Sequence, residues 1–429
     1  MNIEKIIELL NESHSPFHVV NIIKNILVAN GFKEVEEFES FNVELNKKYF
    51  SIRNDSSIIA FKTPTNLSNY HFQIEASHTD SPTFKLKQHP VISSNGCTLL
   101  NVEPYGGMIM SSWFDKPLSF AGRVVVKNGN FVETKLIDID KDLLIIPNVA
   151  IHMNREINSG YKYNPAVDLL PIMSLNEVNF EDLLKSHLNS NEEIISHDLY
   201  LYNREQAKIC GLNDEILSSP RIDNLTSVYL SLNAIINSTS SDALQVFAAF
   251  DNEEVGSKTR QGAGSTFLSD ILKRISHSLG VSCEEYHQAI AKSSLLSVDN
   301  GHAIHPNHPE YSDQNKVFLN KGILIKYNAS ESYTSNALSS SIVKVIAKEN
   351  GIDVQDYENK SNIRGGSTLG NISTSQVSVL SVDIGLPQLA MHSSNEVCAI
   401  NDIEHMKKLL IKYFNYSIVV KSGSITFQK

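Results

Sequence analysis

Near the N-terminus, apolar residues recur at helical spacing, at Val19, Val20, Ile22, Ile23, Ile26 and Leu27. Ser15-Pro16 provides an N-cap followed by proline at the first helical position, and Gly31 provides the stop. The first 31 residues are therefore predicted to be helical. The period then shortens. Segments 57–61 and 71–76 read as strands, and the second runs straight into Ser77-His78-Thr79-Asp80. At 122–132, Asn128-Gly129 flanked by alternating β-branched residues predicts a hairpin. The stretch 87–215 is rich in strands and turns and carries a polar run at 189–193. From Arg221 onward the pattern alternates again: a helix at 225–237, a buried strand at 244–250, strands at 295–298 and 376–384, and an amphipathic helix at 402–414.

Alternating helices and buried strands predict an α/β fold, with a central mixed sheet flanked by helices. Residues 1–86 and 216–429 would form that domain, split by a β-rich insertion at 87–215. At 429 residues, two domains is the natural division. With 41% hydrophobic and 20% charged residues the chain has the balance of a globular protein, and no run approaches the roughly 18 apolar residues of a membrane span. The first residues interrupt their apolar positions with charge, unlike a signal peptide, so a cytoplasmic protein is expected. The net charge of −11 argues against nucleic-acid binding. Cys97, Cys210, Cys283 and Cys398 are scattered, which supports neither a disulfide framework nor a thiolate zinc site.

Polar residues cluster just beyond the predicted strand ends, where open α/β sheets place ligands. His78 follows a strand, with Asp80 two residues on, close enough to orient an imidazole that binds a metal. Taken alone, that triplet fits a surface or structural role better. Asp223, in Arg221-Ile222-Asp223-Asn224, is a natural helix N-cap, but its two oxygens can also bridge two cations. After strand 244–250 come Asp251-Asn252-Glu253-Glu254. Adjacent carboxylates there repel, and can divide the work between metal ligand and general base. Asp299 ends another strand, and the nearby His302, His305 and His308 read as loop residues. His392 follows an apolar strand and a turn. Singly these signals are weak. Together, hard carboxylates and two imidazoles at the ends of one sheet fit zinc, cobalt or manganese.

These segments, with Pro147-Asn-Val-Ala-Ile-His152, Lys326-Tyr-Asn-Ala and Gly365-Gly-Ser-Thr-Leu-Gly370, resemble the ordered motifs of the aspartyl aminopeptidase family of metallopeptidases. The resemblance covers nearly the whole chain. It implies a two-metal aminopeptidase that acts on peptides with a free N-terminus, and a β-rich dimerisation domain at 87–215. It further implies a homo-oligomer, typically a tetrahedral dodecamer. One divalent ion, most simply Zn²⁺, would be held by His78, Asp223 and Asp299. A second would be held by Asp223, Glu254 and His392, with Glu253 as general base and Asp80 orienting His78. His152 would reach the active site of a neighbouring subunit, and Lys326 would read an acidic substrate side chain. The alternatives are a carboxypeptidase or an N-acyl amidohydrolase, which hold a substrate carboxylate usually by arginine, and a non-catalytic oligomeric scaffold.

Overall fold

The structure, a computed structural model, describes residues 1–188, 192–239, 242–363 and 365–428; most of the polar run at 189–193 lies outside them. A nine-stranded sheet forms the centre, in the order Lys33–Glu34, Lys48–Arg53, Ser57–Lys62, Leu244–Phe250, Phe72–His78, Ser294–Val298, Leu380–Gly385, Ile323–Tyr327 and Val354–Glu358. The four strands in its middle, Leu244–Phe250 through Leu380–Gly385, run parallel, while Ser57–Lys62 and Ile323–Tyr327 pair antiparallel to them on either side. The sheet is mixed, as the sequence predicts.

Strand Leu244–Phe250 explains why this sheet must be covered twice. Successive side chains point to opposite faces, and every residue of the strand is buried. Phe247 and Ala249 enter one core, together with helices Pro16–Ala29, Ile222–Asn237, Ala337–Asn350 and Ile400–Asn415. Leu244, Val246, Ala248 and Phe250 enter the other, against helices Phe267–Ser278 and Cys283–Lys292.

The N-terminal helical stretch is two helices, Ile3–Glu12 and Pro16–Ala29, broken where the Ser15 side chain accepts a hydrogen bond from the His18 N–H and caps the second. The C-terminal strand starts later than its alternation suggests, at Leu380, because Leu369–Gln376 is a helix.

A second, six-stranded sheet is built from the chain between Phe72–His78 and Leu244–Phe250, in the order Phe131–Asp138, Leu118–Asn128, Glu193–Asn203, Thr83–Ser94, Cys97–Tyr105 and Ile172–Ser174. All its pairings are antiparallel, and Asn128 pairs Phe131 across the Asn-Gly turn. It has a core of its own around Phe84, Trp113, Phe120 and Leu199. Strand Lys208–Cys210 instead joins a third sheet with Ile216–Ser219, Glu396–Ala399, Pro387–Leu389 and Gly301–His302. Among the described residues no helix is long and apolar enough to cross a membrane.

Candidate metal centre

The centre sits at the carboxyl ends of the parallel strands, where strand ends leave backbone and side chains free to face a ligand. His78 is the last residue of Phe72–His78; Glu253 and Glu254 follow Leu244–Phe250 in a short 3₁₀ turn; Asp299 follows Ser294–Val298. His392 arrives from the third sheet, just beyond Pro387–Leu389, at a positive φ of 65°. Asp223 lies at the start of helix Ile222–Asn237, but its backbone is not helical, and its peptide bond to Asn224 is cis. The cap position before this helix is Arg221, whose side chain makes no capping bond. The Asp223 carboxylate is turned into the centre.

There its two oxygens face different histidines. Asp223 Oδ1 is 3.5 Å from His78 Nε2, and Oδ2 is 3.6 Å from His392 Nε2. His78 Nε2 is also 3.4 Å from Asp299 Oδ1, and His392 Nε2 is 3.5 Å from Glu254 Oε2. Donor atoms of His78, Asp223 and Glu254 all lie within 4.8 Å of one another. Asp223 Oδ1 and Glu254 Oε1 are buried and accept no hydrogen bond. A buried carboxylate oxygen without a donor is costly unless a cation or proton satisfies it. Oxygen and imidazole donors in this array fit a zinc-like ion.

The partners behind the ligands fix their orientation. His78 Nδ1 donates toward the Asp80 carbonyl oxygen at 3.1 Å, with Asp80 Oδ1 at 3.3 Å, which leaves Nε2 to face the carboxylates. Asp80 also accepts the backbone N–H groups of Glu253 and Glu254, each at 3.1 Å. His392 Nδ1 donates to the Gly107 carbonyl oxygen at 2.6 Å. Glu396 accepts the N–H of Asp223 at 2.8 Å and that of His392 at 2.7 Å, tying together segments that meet only through folding.

Electrostatics describe a centre short of positive charge. Burial pushes Glu253 up to about 8, with Asp299, Asp80 and Asp223 adding to the shift, and pushes Glu254 well above the carboxylate range. Burial works against a charged His392, yet Asp223 and Glu254 raise it to about 10; His78 is likewise raised against its burial by Asp223, Asp299 and Asp80. Burial opposes ionisation of Asp223 too, but His392 and His78 hold it below its ordinary value. Carboxylates this crowded take up protons unless cations sit among them.

The structure therefore brings together His78, Asp80, Asp223, Glu253, Glu254, Asp299 and His392. Lys326 borders the group, fully buried, donating to the Asn300 carbonyl oxygen at 2.6 Å with Asp299 Oδ2 at 3.5 Å. His152 stands apart, exposed in a loop of the second sheet's domain. His305 and His308 are exposed loop residues, whereas His302 is within electrostatic reach of Lys326, Asp223 and His392. Tyr105, Gly107 and Glu396 carry no sequence-based role. A signal for Glu396 existed, since a lone carboxylate opens an otherwise apolar strand, Glu396–Ala399.

The profile of the aminopeptidase I zinc metalloprotease family, M18, matches residues 9–414. The chain belongs to the M18 family. It is a metalloaminopeptidase of a zinc metalloprotease family. A Clostridium acetobutylicum protein named "Probable M18 family aminopeptidase 2" is 44% identical over 96% of this chain and 98% of its own. Among solved structures, the Ape4 and Nbr1 complex contains a chain with a TM-score of 0.92 at 32% identity, covering 96% of this chain and 85% of that one. The S. cerevisiae mApe1 dodecamer gives 0.80 at 25% identity, covering 96% and 95%.

Proposed function

We propose that this M18 chain is a two-metal aminopeptidase in which Asp223 bridges the ions. The observation that carries this reading is the division of the Asp223 carboxylate, one oxygen facing His78 and the other His392. That division sorts the donors into two sets with a shared member: His78, Asp223 and Asp299, and Asp223, Glu254 and His392. Zinc is the natural occupant, with cobalt or manganese as substitutes. A pair of such ions supplies Lewis acidity toward a scissile carbonyl and a water.

The chain's own residues do the rest. Glu253 is half-buried, within electrostatic reach of His78, and belongs to neither donor set, so it is free to accept the proton of the attacking water and deliver it to the leaving amine. Asp80 positions His78 through Nδ1 and the Glu253–Glu254 turn through its N–H groups. Arg221 donates to the Leu10 carbonyl oxygen, away from the donor set, and Lys326 is the cation held against Asp299. This favours a substrate with a free amine over a carboxypeptidase substrate, whose carboxylate needs an arginine. Lys326 is assigned to reading the substrate side chain.

The second sheet's domain is assigned to subunit assembly, in a tetrahedral dodecamer within the cytoplasm, with His152 reaching a neighbour's active site. The solved mApe1 dodecamer supports the assembly. The test is an amino-acyl p-nitroanilide panel with zinc, cobalt and manganese. Free-amine substrates should be cleaved, and N-blocked ones and chelated enzyme should be inert. Cleavage of the blocked substrates, or full turnover in excess chelator after exhaustive dialysis, contradicts the reading.

A further inference from the structure

Three consecutive residues at the end of a strand in the second sheet touch three parts of the metal centre. Tyr105 closes strand Cys97–Tyr105, and its hydroxyl donates to Asp80 Oδ2 at 2.7 Å. The same hydroxyl accepts from Asn252 Nδ2 at 2.8 Å. Asn252 opens the Glu253–Glu254 turn in the left-handed region, at φ 64°, and its other amide atom is engaged by Thr259 and Gln261 at 2.8 and 2.7 Å. The bonds thus form a closed ring: Tyr105 to Asp80, Asp80 to the N–H groups of Glu253 and Glu254, the turn back to Asn252, and Asn252 to Tyr105. Gly106 follows at φ +77°, and a Cβ added there would lie 3.1 Å from the Glu254 Cβ. Gly107 supplies the carbonyl that fixes the His392 ring.

We propose that the Tyr105-Gly106-Gly107 corner is a positioning element of the metal centre, contributed by the assembly domain, with the Tyr105 hydroxyl holding Asp80 and the Glu253–Glu254 turn in register. Packing within the second sheet alone would need only the Tyr105 ring, which meets Tyr200 of strand Glu193–Asn203 edge-on at 5.4 Å. The hydroxyl does something else. It is the side-chain donor to a buried carboxylate that already serves His78 and both glutamates. Burial, with Asp80 and Asp251 nearby, raises the Tyr105 pKa, so the hydroxyl remains a donor at any working pH. Without it, Asp80 loses a charge-assisted bond and with it the fixed angle at which it presents its oxygens to the turn.

The proposal rests on the two-metal reading above. Its test uses full-length holoenzyme carrying Tyr105→Phe, which keeps the ring and its packing. Turnover of a free-amine aminoacyl p-nitroanilide is measured together with zinc retention against graded chelator, particle mass and Tm. The kcat should fall roughly 10–100-fold with little change in KM, and zinc should be lost at roughly tenfold lower chelator concentration, with particle mass as in wild type. Wild-type kcat and zinc retention in Tyr105→Phe would overturn the proposal. So would a loss of kcat that tracks a loss of assembled particles while zinc retention is unaltered. Gly106→Ala is the second arm: displacement of Glu254 should weaken zinc retention, and full retention with full turnover counts against the corner. Wild-type enzyme assayed alongside separates the two levels. Turnover in excess chelator contradicts the two-metal reading itself; chelator-sensitive wild type with an unaltered Tyr105→Phe contradicts only this inference.

Discussion

Glu253 and Glu254 are neighbours in the chain, both half-buried, yet their electrostatic partners differ. The histidine that acts most strongly on Glu253 is His78, whereas for Glu254 it is His392, at 3.5 Å. The assignment of base and ligand follows from that difference, and the two isosteric amides separate them. Glu253→Gln keeps the shape but cannot take the proton. It should lower turnover by roughly 10²–10⁴-fold, with zinc content unchanged. Glu254→Gln should lose zinc, and part of its activity should return at high zinc. His392→Ala should behave like Glu254→Gln, since the two side chains face each other at 3.5 Å and belong to the same donor set. Metal analysis on the purified variants decides it; a Glu253→Gln enzyme that has lost zinc beside a Glu254→Gln enzyme that has kept it reverses the roles.

At the scale of elements, the central strand Phe72–His78 carries a buried acid that the chemistry does not use. Glu75 is fully buried, neither of its oxygens has a hydrogen-bond partner, and burial raises its pKa well above the ordinary value. The sign of the linkage follows. With the folded pKa raised, the group's contribution is fully present below the unfolded value, about 4.3, and is lost as pH rises through the window up to the folded pKa. Glu75→Gln cannot ionise, so its Tm should exceed that of wild type increasingly from acidic to neutral pH. Parallel Tm–pH curves for the two proteins would contradict this. Elsewhere, helix Cys283–Lys292 is closed by a capping box in which the Ser282 hydroxyl accepts from the Glu285 N–H. Ser282→Ala should cost about 0.5–2 kcal/mol, visible as a lower Tm, with kcat intact.

What the sequence revealed and what it hid both follow from range along the chain. Strand Leu244–Phe250 and the ligand-bearing ends of Phe72–His78 and Ser294–Val298 were legible because a buried run stopping at a polar cluster is a local signal. The start of Leu380–Gly385 was misplaced because alternation at 376–379 continues smoothly out of a serine- and threonine-rich helix, Leu369–Gln376. The orienting partners left no local trace. Glu396 reaches Asp223 across 173 positions, and Gly107 reaches His392 across 285. Such pairs exist only once the sheets have assembled.

For the whole molecule, the proposed reading gives the subunit interface to the second sheet's domain. Its edge strand exposes Phe131 and Val132, and the loop region that bears His152 exposes Val149, Ile151 and Met153. Exposed apolar residues of this kind are what the proposed interface would cover. Light scattering should therefore report a particle many times the 47.8 kDa chain mass. His152→Ala should reduce turnover without dissociating the particle or removing zinc. A fully active monomer would contradict both the assembly and the role of His152.

The central claim is that Asp223 joins two ions, and zinc stoichiometry per chain addresses it without reference to activity. Purified wild type, equilibrated with zinc and dialysed, should hold two ions per chain. His78→Ala and His392→Ala should each hold about one, and Asp223→Asn close to none, because its carboxylate belongs to both sets. A single zinc in wild type, or an Asp223→Asn protein that retains the wild-type complement, would contradict the account.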